Sequence, residues 1–166
     1  MMGGGALHVK SSRNVMSHKR KGFKPSAGSL GPSPPPSSRA VRNVMRANGG
    51  RDTGIELKFA RALRRQALYG FKKDYKVGKA KVDVAFPKQR VAVFVHGCFW
   101  HQCPVCDLSP PKTHTDFWNR KFALNKARDA RVRLELEASG WKVAEFWEHE
   151  INGNVDDCAR IIGLLL

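Results

Sequence analysis

The chain has 166 residues, which is enough for one compact core of ordinary size but not for two. It carries 30 Lys and Arg against 14 Asp and Glu, a formal net charge of +16. We therefore expect a polyanionic partner, and nucleic acid is the leading candidate. A membrane partner is the weaker alternative, because no apolar run approaches the roughly 20 residues that span a bilayer.

The first fifty residues differ in composition from the rest of the chain. They contain nine of the basic residues and no acidic one, and residues 25–38 are rich in Gly, Ser and Pro. Such a segment cannot bury a core, so we expect residues 1–38 to form a flexible basic extension of a single folded domain at 39–166. Three of the four cysteines crowd into nine positions and no signal-peptide stretch precedes them, which favours a reducing, cytoplasmic compartment.

The pattern of apolar and polar residues predicts seven elements after residue 51. An N-cap signal at Asp52-Thr53 opens the first helix, and the apolar run 91–95 is typical of a central strand buried on both faces. In chain order we expect a helix from 53 to near Gly70, strands at 75–77, 82–86 and 91–95, an amphipathic helix at 115–138, a strand at 141–147 and a helix at 155–165. This order predicts an α/β sandwich with a mixed sheet.

Asp83 is a carboxylate between two valines of a predicted strand. It could face water on an edge strand, but a hairpin brings it close to the end of the next strand, where His96 and His101 follow. A carboxylate, a strand-end carbonyl and nearby imidazoles can bind Mg²⁺ and leave one imidazole to take a proton. This constellation indicates hydrolytic chemistry.

The spacing of Cys98, Cys103 and Cys106 supplies three thiolates of a tetrahedral zinc site and lacks a fourth ligand. We favour His149 as that ligand, because it follows a strand that can end at the same edge of the sheet as the strand before Cys98. Cys158 competes for the place, but its apolar neighbours in a predicted helix suit a small buried residue. Reduced core thiols without metal are the alternative.

Phe99 and Trp100 lie between a predicted zinc ligand and a predicted catalytic histidine. Most aromatic side chains pack in the core, and that is the first interpretation. In a basic protein, adjacent aromatics on a metal-bound loop could also wedge between DNA bases.

From about Arg39 to Ile151 the residues resemble those of the very-short-patch-repair (Vsr) DNA mismatch endonucleases. The landmarks are RDTGIE at 51–56, VD at 82–83, FVHGCFWH at 94–101, FW at 117–118, Lys121, Asn125, RD at 128–129, GWKV at 140–143 and WE at 147–148. The resemblance implies a restriction-endonuclease-like three-layer sandwich with a central mixed β-sheet and a structural zinc site. It also implies a monomeric, Mg²⁺-dependent enzyme that nicks DNA 5′ of the mispaired T in a T:G mismatch left by 5-methylcytosine deamination.

The resemblance also assigns roles to single residues. It makes Asp83 and the backbone carbonyl of Val95 ligands of Mg²⁺, which binds as two ions, and His101 the general base. His96 and Glu56 would orient metal-bound waters, and the zinc ligands would be Cys98, Cys103, Cys106 and His149. Phe99 and Trp100 would intercalate beside the mismatch, while the arm at 39–50 would contact DNA through Arg42, Met45 and Arg46.

Two other functions remain open at this point. The chain could be a Vsr-like nuclease with restriction activity or another mismatch specificity, using the same site with different base contacts. It could instead be a zinc-stabilised DNA-binding module without catalysis, although such a module has no need for Glu56, Asp83, His96 and His101 together. The sequence leaves open whether a MutL-like repair protein takes part.

Overall fold

The computed structural model describes residues 33–35, 39 and 53–166. Within that part of the chain, helices and strands follow one another in the predicted order. They are α1 (Gly54–Arg65), β1 (Lys72–Val77), β2 (Ala80–Phe86), β3 (Val91–His96), α2 (Thr115–Ala138), β4 (Lys142–Trp147) and α3 (Glu148–Leu165). The described residues contain no helix that is long and apolar enough to cross a membrane.

The four strands form one mixed sheet in the order β1-β2-β3-β4. The pairs β1–β2 and β2–β3 are antiparallel, whereas β3 and β4 are parallel, with His96 beside Trp147 at their C-terminal ends. A parallel pair needs a long crossover connection, and α2 provides it. The predicted mixed sheet is therefore confirmed, and the residues that follow β3 and β4 start from the same edge of the sheet.

Helices cover both faces of the sheet. On one face lie α1 and α3, whose Phe59 and Ile162 belong to a buried cluster with Val93 of β3. On the other face lies α2, whose Leu136 packs in a second cluster with Ala92 of β3. The central strand is thus buried on both sides, as its continuous apolar run predicts.

The helix α1 ends at Arg65, well before the end predicted near Gly70. Ala67 takes a left-handed conformation with φ 56°, and the N–H of Leu68 donates to the carbonyl of Leu63 at 2.9 Å. This is the hydrogen bond of a Schellman cap, in which glycine usually occupies the left-handed position. The apolar pattern continues through Ala67 and Leu68, so it conceals the end of the helix.

The hairpin strands are longer than predicted. β1 begins at Lys72 instead of 75 and β2 begins at Ala80 instead of 82. Gly78, with φ 57°, makes a tight turn that lets Val77 pair with Ala80, so the ladder continues to the turn itself. Lysines dominate these added positions, and their weak strand propensity hides them in the sequence.

The helix α3 begins at Glu148, not at 155 as predicted. Glu150 accepts a hydrogen bond from the backbone N–H of Trp147 at 2.8 Å, which caps the early start. Asn154 then breaks the helical geometry with φ −151° and ψ 85°, just before the predicted start. The correction matters for the site, because it places His149 in the first turn of a helix.

The helix α2 has the predicted bounds but not the predicted amphipathic character. Of its 24 residues, only Trp118, Phe122 and Leu136 are buried. Its middle carries polar residues that line a cavity beside the sheet, among them Asp129. A helix that presents side chains to a site need not keep a continuous apolar stripe, which explains the difference.

Candidate active site and metal cluster

A cavity of about 460 Å³ lies between α2 and the sheet, near the C-terminal end of β3. Four residues that the sequence singles out line it, namely Glu56, Asp83, His96 and His101. Its other charged lining residues are Lys79, Lys81, Arg128, Asp129, Arg131 and Glu145. The lining therefore combines four carboxylates, two imidazoles and four basic side chains, so it offers groups that attract a cation beside groups that attract an anion.

Asp83 lies on an interior strand, so the alternative of a water-facing edge position does not hold. Its Oδ2 accepts a hydrogen bond from the backbone N–H of Val95 at 2.8 Å. Burial raises the pKa of Asp83, and the nearby carboxylate of Glu56 acts in the same direction, against the hydrogen bond and the two imidazoles. A bound cation would relieve this cost, so the site fits a hard metal ion that takes oxygen ligands.

His101 forms a close pair with Asp129 of α2. The Nδ1 atom of the imidazole is 2.5 Å from Oδ2 of the carboxylate, and Arg128 donates to the other oxygen at 3.1 Å. Although burial opposes it, the hydrogen bond from His101 and the charge of Arg128 hold the pKa of Asp129 below its ordinary value. With Nδ1 engaged, Nε2 of His101 is the nitrogen that can accept a proton from water.

His96 is buried at the end of β3, with its ring centroid 4.4 Å from that of His101. Its Nε2 lies 3.8 Å from Oε1 of Glu145 on β4, and Oε2 of Glu145 accepts a hydrogen bond from Arg133 at 2.9 Å. The contact with His96, and then the charge of Arg133, hold the pKa of Glu145 below its ordinary value in spite of burial. Each imidazole therefore has its own carboxylate.

His96, His101 and Asp129 bring three ligand atoms within 4.8 Å of one another. Two of the three ligands are imidazoles, which suit transition metals better than Mg²⁺. The carboxylate of Asp83 is the better match to Mg²⁺, and it lies at the same cavity.

The loop after β3 and the first turn of α3 build a second cluster, Cys98, Cys103, Cys106 and His149. The three sulfur atoms lie 3.3, 3.6 and 3.4 Å from Nδ1 of His149. A tetrahedral zinc ion with Zn–S of about 2.3 Å and Zn–N of about 2.0 Å separates sulfur and nitrogen by about 3.5 Å. The donor set and its spacing therefore fit zinc, with His149 in the fourth place.

Cys158 is outside this cluster. It is buried in the core with Phe59 and Ile162, and burial raises the pKa of its thiol to about 11. The cluster of ligand atoms brings together Cys98, Cys103, Cys106 and His149 and does not include Cys158, so among the described residues His149 is the fourth member of the set.

Phe99 and Trp100 are half-buried on the loop between the two clusters. Phe99 packs edge-on against Phe122 of α2, with ring centroids 5.4 Å apart. The ammonium of Lys121 lies 5.4 Å from the ring of Trp100, and Asn125 donates to the carbonyl of Trp100 at 3.0 Å. The start of α2 thus supports the loop while leaving both aromatic side chains partly accessible.

Several predicted residues and segments cannot be located. Arg42, Met45 and Arg46 lie outside the described residues, as does most of the extension at 1–38 and of the arm at 39–50.

Sequence reasoning missed Glu145 as a site residue, although the signal that points to Asp83 applies to it. Both are single carboxylates within a strand that is otherwise mostly apolar. Glu148 belongs to the landmark at 147–148 but had no predicted role, and its Oε2 accepts a hydrogen bond from the backbone N–H of Cys98 at 3.2 Å. Nothing in the sequence points to that contact, because the two residues come from distant parts of the chain.

Comparisons with known proteins find similarity to DNA endonucleases. The model of the family described as DNA mismatch endonuclease Vsr matches residues 36–106. The chain is 39% identical over 97 residues to the type II nicking enzyme V.XorIIP of Xanthomonas oryzae, covering 57% of this chain and 70% of that protein. It is 35% identical over 149 residues to the type II nicking enzyme V.NaeI of Lentzea aerocolonigenes, covering 87% and 70%. It is 36% identical over 109 residues to the DNA mismatch endonuclease Vsr of Escherichia coli, covering 66% and 69%.

Proposed function

The chain belongs to the Vsr family of DNA endonucleases, and from that membership we propose that it nicks one strand of duplex DNA 5′ of the mispaired T in a T:G mismatch. The observation that carries the proposal is the carboxylate of Asp83 in the cavity, with the His101–Asp129 pair on the same lining. One group can hold a cation and the other can take a proton, which are the two requirements of metal-assisted phosphodiester hydrolysis.

Asp83 and the backbone carbonyl of Val95 are the groups that would hold Mg²⁺, which binds as two ions in this proposal. Support for the ion comes from the raised pKa of Asp83 and from its hydrogen bond to Val95, which brings the carboxylate next to the end of β3. When bound, Mg²⁺ would neutralise the negative charge that gathers on the phosphate and the leaving oxygen.

The protein's own side chains would supply the proton transfer. His101 accepts the proton of the attacking water at Nε2, because Asp129 holds the ring through Nδ1. His96 and Glu56 orient water molecules in the cavity, which both residues line. Imidazole is the side chain that most often acts as a general base in proton transfer.

Recognition of the mismatch would depend on the loop aromatics and the arm. Phe99 and Trp100 intercalate beside the weak base pair, where unstacking costs less than in matched DNA. Met45 inserts from the opposite groove, and Arg42 and Arg46 contact the DNA backbone. The partial exposure of Phe99 and Trp100 supports the first of these roles.

Zinc would fix the loop that carries these aromatics. The cluster joins the loop to α3 through His149, so a bound ion would hold the start of the loop against the first turn of that helix.

We further propose that residues 39–166 form one restriction-endonuclease-like domain, with 39–50 as the DNA-contacting arm and 1–38 as a flexible extension. Helices on both faces of a mixed sheet support this fold. The enzyme would act as a monomer in the bacterial cytoplasm, with a MutL-like repair protein as a candidate partner.

A second candidate function is nicking with a different specificity. The relatives V.XorIIP and V.NaeI are named type II nicking enzymes, which favours a nuclease whose base contacts differ within the same framework. A non-catalytic binding module is disfavoured by the two carboxylate–imidazole pairs at the cavity.

A strand-specific nicking assay tests the proposal. End-labelled duplexes that differ only in one T:G, T:A or C:G pair are incubated with Mg²⁺ in several flanking contexts, with Asp83→Ala as the control. We expect a Mg²⁺-dependent nick 5′ of the mispaired T that the variant does not make, while its affinity for the mismatched duplex stays close to that of the wild type. Cutting of fully paired duplex would support the second candidate, and binding without cutting would contradict an enzymatic function.

A further inference from the structure

Glu145 lies between two of the family landmarks, 140–143 and 147–148, and belongs to neither. It lies on β4 beside Phe94 of β3, its side chain is 27% exposed, and it lines the cavity. A carboxylate that is largely withdrawn from water costs free energy unless its oxygens find partners. Here Oε2 accepts a hydrogen bond from Arg133 at 2.9 Å, and Oε1 lies 3.8 Å from Nε2 of His96.

The ring of His96 has little freedom to move. Its side chain is 8% exposed, and its centroid lies 4.4 Å from that of His101 and 5.3 Å from that of Trp147. Packing of this kind holds the ring but does not decide which ring nitrogen carries the proton. A carboxylate beside Nε2 favours the proton on that nitrogen, and Nδ1 of a neutral ring is then an acceptor.

We propose that Glu145, held in place by Arg133, is a positioning residue for His96. Its carboxylate accepts the Nε2–H group and so fixes both the orientation and the tautomer of the ring. At 3.8 Å the contact is longer than a hydrogen bond, and contacts of this kind are often long before substrate binds and shorten in the complex. The inference rests on the endonuclease function proposed above and adds a role for β4 within that site.

The chain contains a matched control for this role. Arg133 also pairs with Glu137, whose Oε1 lies 3.0 Å from Nε of the guanidinium. Glu137 is on α2 and is not among the residues that line the cavity, whereas Glu145 also faces His96. Removing either carboxylate takes one partner from Arg133, but only one of the two changes removes the partner of His96.

The variants Glu145→Ala, Glu145→Gln and Glu137→Ala are compared in single-turnover nicking of a T:G duplex and in affinity for the same duplex without Mg²⁺. We expect Glu145→Ala to lower the nicking rate by about 10- to 100-fold, the effect typical of removing a carboxylate that orients a site histidine. Its Kd for DNA should not change. Glu145→Gln keeps an oxygen acceptor and should recover most of the rate, and Glu137→Ala should nick like the wild type.

Three results would overturn the inference: wild-type nicking by Glu145→Ala, no recovery in Glu145→Gln, or an equal loss in Glu137→Ala. A wild-type protein that nicks none of the duplexes would contradict the proposed function instead. In that case nitrogen-edited NMR of the imidazole protons decides. We expect an Nε2–H signal of His96 that shifts in Glu145→Ala and not in Glu137→Ala, and the same spectrum in all three proteins would overturn the role of Glu145.

Discussion

Asp83 is a largely buried carboxylate whose ionised form the fold disfavours. Its carboxylate lies on an interior strand, where burial and the neighbouring Glu56 raise its pKa, against the hydrogen bond from the backbone N–H of Val95 and the two nearby imidazoles. At neutral pH the ionised form of this side chain therefore lowers the stability of the fold. Sites of this kind are typical of residues that bind a cation or take part in catalysis.

We expect Asp83→Asn to raise the free energy of unfolding at neutral pH when Mg²⁺ is withheld. A pKa raised in the folded state means that the fold binds the proton more tightly than the unfolded chain, so stability falls as pH rises above the ordinary value of 3.8. Asparagine is uncharged, so no charge is buried when the variant folds. Its side-chain carbonyl can still accept the hydrogen bond from the backbone N–H of Val95. Urea denaturation of both proteins at neutral pH and below pH 3.8 measures the difference.

The gain in Asp83→Asn should disappear at the acid pH, because both folded and unfolded wild-type chains are then protonated at this position. The variant should also fail to nick DNA. A variant that is less stable than the wild type at neutral pH would show that the charge at residue 83 does not destabilise the fold.

At this scale the sequence predicts some site residues and conceals others. Asp83 stands out because a carboxylate between two valines needs an explanation, and the same argument identifies Glu145 once its strand is known. Asp129 belongs to the landmark at 128–129, but its own residue pattern predicts no role, because a charged residue on a long helix is ordinary until the fold brings it to His101. Pairings between distant segments follow from the tertiary fold, which no local pattern encodes.

The elements were predicted in type and order, while their ends depended on local hydrogen bonds that the pattern does not reveal. The early end of α1 at Arg65, followed by the left-handed Ala67, and the early start of α3 at Glu148 are both of this kind. The second correction bears on function. A helix that begins directly after β4 presents His149 to the loop after β3, so the two elements share one candidate metal site.

We expect Cys103→Ala to release zinc and to lower the free energy of unfolding by more than about 3 kcal/mol, or about 10 °C in Tm. Cys103 is one of the four cluster residues between the loop and α3, so a zinc ion bound there would lose one of its four ligands. Metal analysis of the purified variant and its thermal unfolding curve measure both effects, and nicking should fall with them.

Cys158→Ala is the matched control for the zinc cluster. Cys158 is equally buried but packs among apolar residues of α1 and α3, away from the four ligands. The variant should keep its zinc and lose only the packing of one small side chain. Equal zinc content and stability in Cys103→Ala and the wild type would show that the cluster does not bind a structural metal.

For the molecule as a whole, the sequence predicts the net charge and the order of strands and helices better than any other feature. A helix between β3 and β4 allows these strands to pair in parallel through a crossover. The rules for such connections leave only a few possible strand arrangements. The net charge of +16 points to a polyanion but does not say which residues contact the bases of a DNA substrate. Six basic residues lie in the segment 1–38, far along the chain from the cavity residues.

We expect replacement of these six residues by Gln to weaken binding to matched and mismatched DNA alike. Each phosphate contact contributes about 0.9 to the slope of log Kd against log salt, so the slope should fall by at most about 5. The ratio of the two affinities should not change, because phosphate contacts carry no sequence information. Binding titrations on T:G and T:A duplexes over a range of salt concentrations measure both quantities, and a ratio that falls with the charges would place mismatch recognition partly in the extension.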